Sequence, residues 1–386
     1  MVFLVNLARV LFSPLLEPLK ATFGATDATV GLLATLVWIG SASPRLPVGY
    51  LLTRVPRHYV VLAAGTVLTA AGGLSAVASS IEWLMVGAFC LGVSSGTYFI
   101  AANPLVTELF PDRVGDMIGI HGMSSQVAAV VAAPFVGGVI LFGSWRLAFS
   151  LLAVVGGLTT VVLLVIISMT DLPAAGAADR HFVRAARRQW RLILVGVVFV
   201  GVTGFVWQGV FNFYVTYLIT AKSLSQPAAQ GLLTVLFGAG IPAFLITGYL
   251  AQRLPNAPLM FAVCGAFVCC LLVLTVVSGY LALFVVSAVL GYVIHCLFPT
   301  IDTLLLSSLP DESRASAYAV YSGGMMLVQA PGSSVLGALV DAGYGFDPVF
   351  RGFAGVVGLV LSVFVVVYLV GGFPTDRRTE SFPVDR

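Results

Sequence analysis

Four ionisable side chains set inside apolar stretches, Arg9, Arg45, His295 and Asp302, carry most of the chemistry this chain offers. A guanidinium grips a carboxylate or oxyanion through parallel hydrogen bonds. An imidazole or a carboxyl binds and releases a proton when its surroundings alternate between wet and dry. Asp302 follows His295 by two helical turns, which returns to nearly the same face, so the two can share one wall. Gln208 and Asn212, one turn apart, add amide donors and acceptors on a common face, and Asn6 stands one turn before Arg9. Glu108 is a second candidate proton group, or a partner for Arg113 or Arg45. These residue types suit binding and proton transfer. The five cysteines lie in apolar stretches without metal-ligand spacing, and neither H-E-x-x-H nor a P-loop occurs, so no metal, no cofactor and no enzymatic activity are expected.

The elements that must position these groups follow from composition. Of 386 residues, 59% are hydrophobic and 9% charged, against about a quarter charged in ordinary soluble domains. A helix needs about 20 apolar residues to cross the hydrocarbon core, which gives this length room for about twelve crossings. Apolar runs punctuated by charge, Pro and Gly predict spans near 2–23, 29–52, 59–79, 82–109, 116–141 and 145–169, then 191–220, 226–251, 257–278, 280–308, 315–341 and 348–372. The first run lacks a small-residue cleavage site and reads as a retained helix. With both termini cytoplasmic, the inner side holds Arg54, Arg57, Arg113, the basic run from Arg180 to Arg191, Arg253, Arg314 and the Arg residues of the tail. The outer side holds only Lys20, Arg146, Lys222 and Arg351, as the positive-inside bias requires. A net charge of +3 with scattered basic residues implies no nucleic-acid partner, and the basic run suits anionic lipid headgroups.

Shifting the chain by 199 residues superposes Gly49, Tyr50, Leu51, Arg54 and Pro56 on Gly248, Tyr249, Leu250, Arg253 and Pro255. The same shift brings Pro111 and Asp112 onto Pro310 and Asp311, Gly138 onto Gly337, and Asn103 onto Asp302. Loop residues matching at one offset indicate a duplicated six-helix unit. Each unit has an even number of helices, so the copies are parallel repeats, with a site expected near the midplane between them.

Over essentially the whole chain these features resemble the major facilitator superfamily. Gly49, Leu51, Arg54 and Arg57 are similar to its first cytoplasmic loop motif, with Thr53, and Gln252 in the second copy, at the motif's Asp position. Pro134, Gly137 and Gly138 resemble the fifth-helix motif of drug/proton antiporters, with Ala129 and Ala133 at its earlier Gly positions and Ala88 at an expected Arg. Arg45, Pro47 and Gly49 resemble the second-helix pattern of nitrate/nitrite porters, in which the Arg contacts the anion; Phe244 stands where their second Arg would fall. The resemblance implies that helices one, four, seven and ten line the cavity, which places Arg9, Asn103, Asn212 and Asp302 there.

The expected protein is therefore an all-α membrane protein of twelve transmembrane helices in two pseudosymmetric six-helix bundles. Residues 1–171 form the N-terminal bundle, 172–190 a cytoplasmic linker, 191–372 the C-terminal bundle and 373–386 a cytoplasmic tail. The expected function is secondary active transport of a small anionic solute across the cytoplasmic membrane by alternating access, driven by a gradient such as protons. Arg45, Arg9, Asn103, Gln208, Asn212, His295 and Asp302 are the candidate substrate contacts, and Asp302 and Glu108 the proton-coupling pair. Gly49, Arg54, Pro134, Gly137, Gly138, Gly248 and Arg253 are the candidate gating residues. Proton-driven export of drugs or other amphipathic compounds is the alternative, and a non-transporting membrane sensor is the alternative of another class. The partners expected are a small molecule, a proton and membrane lipid, around a monomer.

Overall fold

The computed structural model describes residues 1–170, 172, 182–251, 253–309 and 314–371. The tail, most of the linker, the surroundings of Gly248 and the side chain of Asp302 lie outside the described set. The first span is α1 (Val2–Val10) with α2 (Phe12–Phe23), and the second is α3 (Asp27–Ala42) with α4 (Arg45–Leu51). Spans three to six are α5 (Arg57–Ala76), α6 (Ile81–Leu109), α7 (Val114–Phe142) and α8 (Trp145–Ser168). A short α9 (Phe182–Arg188) occupies the end of the expected linker. The seventh span is α10 (Trp190–Asn212) with α11 (Tyr214–Thr220), and the eighth is α12 (Gln226–Gly238) with α13 (Gly240–Ala251). The ninth and tenth are α14 (Asn256–Val276) and α15 (Tyr280–Ser308). The eleventh is α16 (Arg314–Gln329) with α17 (Gly332–Asp341), and the twelfth α18 (Phe346–Leu369). Among the described residues, 10 helices are each long and apolar enough to cross a membrane, and the bent pair α1–α2 makes an eleventh. The twelfth is the second span, whose 16-residue α3 continues through helical backbone at Ser43 into α4.

Proline explains most of the broken spans. Pro14, Pro47 and Pro242 are each the third residue of the helix after a break, and each faces the carbonyl four residues back, on Val10, Ser43 and Gly238. The ring cannot donate to that carbonyl and crowds it, so the helix bends there; α1 and α2 meet at 46°. Pro331 stands instead at the N-cap of α17. The break after Asn212 has another cause. The Asn212 side-chain amide donates to the Gln208 carbonyl at 2.9 Å and competes with the helical ladder.

Burial runs opposite to that of a soluble protein. Only 11% of the apolar window of α8 and 22% of that of α18 are buried, against 67% for α10. The outer helices therefore present their aliphatic surface to lipid, and the seventh span lies at the centre.

The bundles meet most closely at the end distal to Met1. A Cβ at Gly31 would lie 2.4 Å from the Ser333 carbonyl oxygen, and one at Gly337 would lie 2.2 Å from that of Asp27, so α3 and α17 approach backbone to backbone. The Asp341 carboxylate accepts from the amides of Asp27 (3.1 Å) and Ala28 (2.8 Å), capping α3 from the other bundle. Ser334 and Thr35 join hydroxyls at 2.8 Å. The duplication is visible in the contacts. Thr216 donates to Glu17 at 2.6 Å across a separation of 199 residues, and Ser13 donates to the Phe211 carbonyl at 2.6 Å. Equivalent positions of the first and seventh spans thus touch across the pseudo-twofold axis. Related by the same axis, Gly137 of α7 packs against Gln230 of α12.

Filling the seam should be costly. Gly337→Ala should lose about 1–3 kcal/mol through overpacking, seen as a lower thermal midpoint of the detergent-solubilised protein; an unchanged midpoint would mean that α3 and α17 separate freely.

Candidate functional site

Arg9 leaves α1 one turn after Asn6 and just before the first break. Its Nη2 donates to Asn6 Oδ1 at 2.5 Å, while Asn6 Nδ2 donates to the Ser125 carbonyl of α7 at 2.6 Å. The guanidinium carbon lies 4.9 Å from the centre of the Trp38 ring and 5.0 Å from that of Phe99. Nε is buried without a hydrogen-bond partner, and no carboxylate pairs with Arg9 among the described residues. A second guanidinium, Arg45, is near enough for its charge to act on Arg9. Arg9 therefore faces the interior and is held by π faces and one amide.

From Arg9 a ladder of rings crosses between the bundles. Trp38 meets Phe211 edge-on at 6.2 Å, and Phe211 meets Trp207 at 5.4 Å. Trp207 meets His295 at 6.0 Å, and Phe237 and Phe244 close on the same imidazole at 5.9 and 5.8 Å. Phe99 also packs edge-on against His121, whose Nε2 lies 3.1 Å from the Tyr98 hydroxyl. At these separations the rings pack against one another, edge to face or tilted, as a continuous aromatic path between the bundles. Asn103, one turn beyond Phe99 on its face, is exposed.

His295 is buried, with Nδ1 2.6 Å from the Gly291 carbonyl. A carbonyl only accepts, so Nδ1 carries the proton, and in the neutral ring Nε2 is an acceptor. Gly240 lets the ring in, since a Cβ there would lie 2.7 Å from His295 Cγ. Gln208 and Asn212 are also buried but serve the helix break. Asn212 Nδ2 is shared among the Gln208 carbonyl, Gln208 Oε1 (3.3 Å) and Ser333 Oγ (3.0 Å), and Ser333 donates to the Gln208 carbonyl at 2.9 Å.

Nearer the Met1 end, Arg45 donates through Nη1 to Ser322 of α16, which links the bundles. Glu108 takes a partner other than those expected. It forms an ion pair with Arg57 at the start of α5, while Arg113 turns to Asp116 at 3.3 Å. The loop after the second span brings Arg57 beside the end of α6. Arg54 stacks on Tyr50 at 5.0 Å and Arg253 on Tyr249 at 4.1 Å, one cation–π pair in each repeat. Gly49 is buried, Pro134 is exposed, and Gly138 has open space beside it.

A family profile described as Major Facilitator Superfamily matches residues 1–288. The chain belongs to the major facilitator superfamily. Curated relatives include the purine ribonucleoside efflux pump NepI of Salmonella paratyphi B, 25% identical over 340 residues, covering 85% of this chain and 82% of the relative. NepI of Salmonella typhimurium is 26% identical over 260 residues, covering 64% and 63%. Among solved structures, a bacterial homolog of the human lysosomal transporter Spinster, inward-facing and unoccupied, aligns with TM-score 0.76 at 16% identity over 100% of this chain and 97% of that one. A variant of the nucleoside transporter NupG aligns with TM-score 0.76 at 14% identity over 95% and 98%. These two likenesses establish the fold, twelve helices in two pseudosymmetric bundles, and membership of the family makes the chain a multi-pass membrane transporter.

Sequence reading singles out Arg9, Arg45 and His295, but not Trp38, Phe99 or Phe237, which line the same ladder. One signal was present: Phe99 and Asn103 share a helix face.

A flat aromatic solute entering this ladder should quench the intrinsic fluorescence of Trp38 and Trp207. Replacing both by Phe should remove most of the ligand-induced quench in a fluorescence titration; a quench that persists in full would place binding elsewhere.

Proposed function

We propose that this chain is a secondary active transporter of the cytoplasmic membrane that moves a small heteroaromatic solute of the nucleoside class by alternating access. The observation that carries the proposal is the ring ladder from Arg9 to His295, which spans the boundary that must open and close. Stacking suits a base, and the amide, imidazole and guanidinium groups beside it suit a base's polar edges. Resemblance to purine ribonucleoside efflux pumps supports the same class and outward transport. With both termini cytoplasmic, the close distal seam faces outward, and the Arg45–Ser322 contact joins the bundles nearer the inner side. Residues 1–171 and 191–372 then act as the two rocking bodies of a monomer, joined by the linker 172–190.

Asp302 keeps its proposed role as the proton site, opposite Asn103 in the other repeat. Glu108, bound to Arg57, would act through that ion pair at the cytoplasmic end. A second reading, transport of a small anion, is favoured by the two guanidiniums of Arg9 and Arg45 within one bundle.

Flux assays in proteoliposomes decide between the readings. Radiolabelled inosine and adenosine should move down an imposed pH gradient while benzoate does not; movement of benzoate alone would overturn the nucleoside reading. Asp302→Asn should abolish gradient-driven accumulation and spare counterflow exchange, and unchanged accumulation would remove Asp302 from coupling.

A further inference from the structure

We infer that His295 is the specificity-determining residue of this site: its Nε2 accepts a hydrogen bond from an N–H on the edge of the stacked heterocycle, so the transporter selects bases that carry such a donor. The inference rests on the nucleoside-class reading above and adds a requirement which that reading does not contain.

Three observations carry it. The Nδ1 proton is committed to the Gly291 carbonyl at 2.6 Å, which fixes the tautomer and leaves Nε2 with a lone pair. That atom has no hydrogen-bond partner among the described residues, although the side chain is only 5% exposed. The imidazole is surrounded by rings, with Trp207, Phe237 and Phe244 centred 5.8 to 6.0 Å away, and Gly240 lies against the Cγ–Cδ2 edge that adjoins Nε2. Aromatic faces bind every base alike, so they give affinity without discrimination. A single acceptor in such a setting discriminates strongly, because a base lacking the donor leaves it unpaired in a dry place. The selected class is therefore heterocycles with a ring or exocyclic N–H, lactams and aminopyridine-like rings included. A ring methylated at that nitrogen or bearing no N–H is rejected.

The test compares binding to the purified full chain by calorimetry within matched pairs. Inosine should bind at least tenfold more tightly than 1-methylinosine, and adenosine at least tenfold more tightly than purine riboside, which has no N–H on its base. In His295→Phe, which keeps a ring but loses the acceptor, the pairs should bind alike; in His295→Gln, whose Oε1 accepts, part of the preference should return. Equal binding within both pairs by the unaltered protein overturns the role of His295 and leaves the nucleoside reading standing. Binding of benzoate with no nucleoside bound overturns both. Should His295→Phe fail to fold, the ligand pairs still decide, and nitrogen NMR of a protein with its four His labelled gives an independent readout. A protonated Nδ1 and bare Nε2 at His295 is expected, and the reverse tautomer would sink the inference.

Discussion

A guanidinium inside a membrane domain must turn away from lipid, and that constraint organises this molecule. Arg9 meets it without a carboxylate among the described residues, by lying between Trp38 and Phe99 and donating to Asn6. Cation–π contacts contribute about 0.5–2 kcal/mol each, whereas an intramembrane charge costs at least about 2.5–3.5 kcal/mol. Two rings and one amide roughly offset that cost, with the Nε donor left over. The residue is stable where it stands and still has capacity for a polar solute. Pro14 contributes by bending the span directly after Arg9, and the aliphatic shell of α8 and α18 keeps lipid at the periphery.

The distal closure is built from contacts that are individually small. A helix cap from Asp341, a hydroxyl pair between Thr35 and Ser334, and the Thr216 to Glu17 bond hold it. Each is worth about 1 kcal/mol net, because the groups would otherwise bond water. Glycines at the seam supply close dispersion contact without a deep apolar interface. Such a closure can separate at modest cost, as a rocking mechanism needs.

The spans and the repeat were legible because lipid imposes a composition that a soluble fold does not share, and because the Arg, Asp and Pro of the loops repeat at a fixed offset. Three of the four proline breaks follow one rule, a Pro at the third position of the next helix, which sequence displays once the breaks are known. The site was only half legible. Charged groups within apolar runs stand out, so Arg9, Arg45 and His295 are candidates from sequence. Phe and Trp in the same runs look like lipid-facing filler, so Trp38, Phe99 and Phe237 are not. Glu108 shows another limit: its partner Arg57 is set by how a loop folds back on α6, and no helical periodicity reports that.

The ladder also bears on how binding and motion are coupled. Trp38 against Phe211 is its one ring contact, among the described residues, between the first bundle and the second. Arg9 and Phe99 stand behind Trp38, while Trp207 and His295 stand behind Phe211. A flat solute inserted at that junction touches both bundles at once, and its stacking energy depends on the angle between them. A ligand shifts a conformational equilibrium only by its differential affinity for the two states. Rings split between moving bodies supply that difference, since the solute is best covered when they close on it from both sides. Binding energy gathered at the junction of Trp38 and Phe211 would thus favour the occluded arrangement, through which either transport direction must pass.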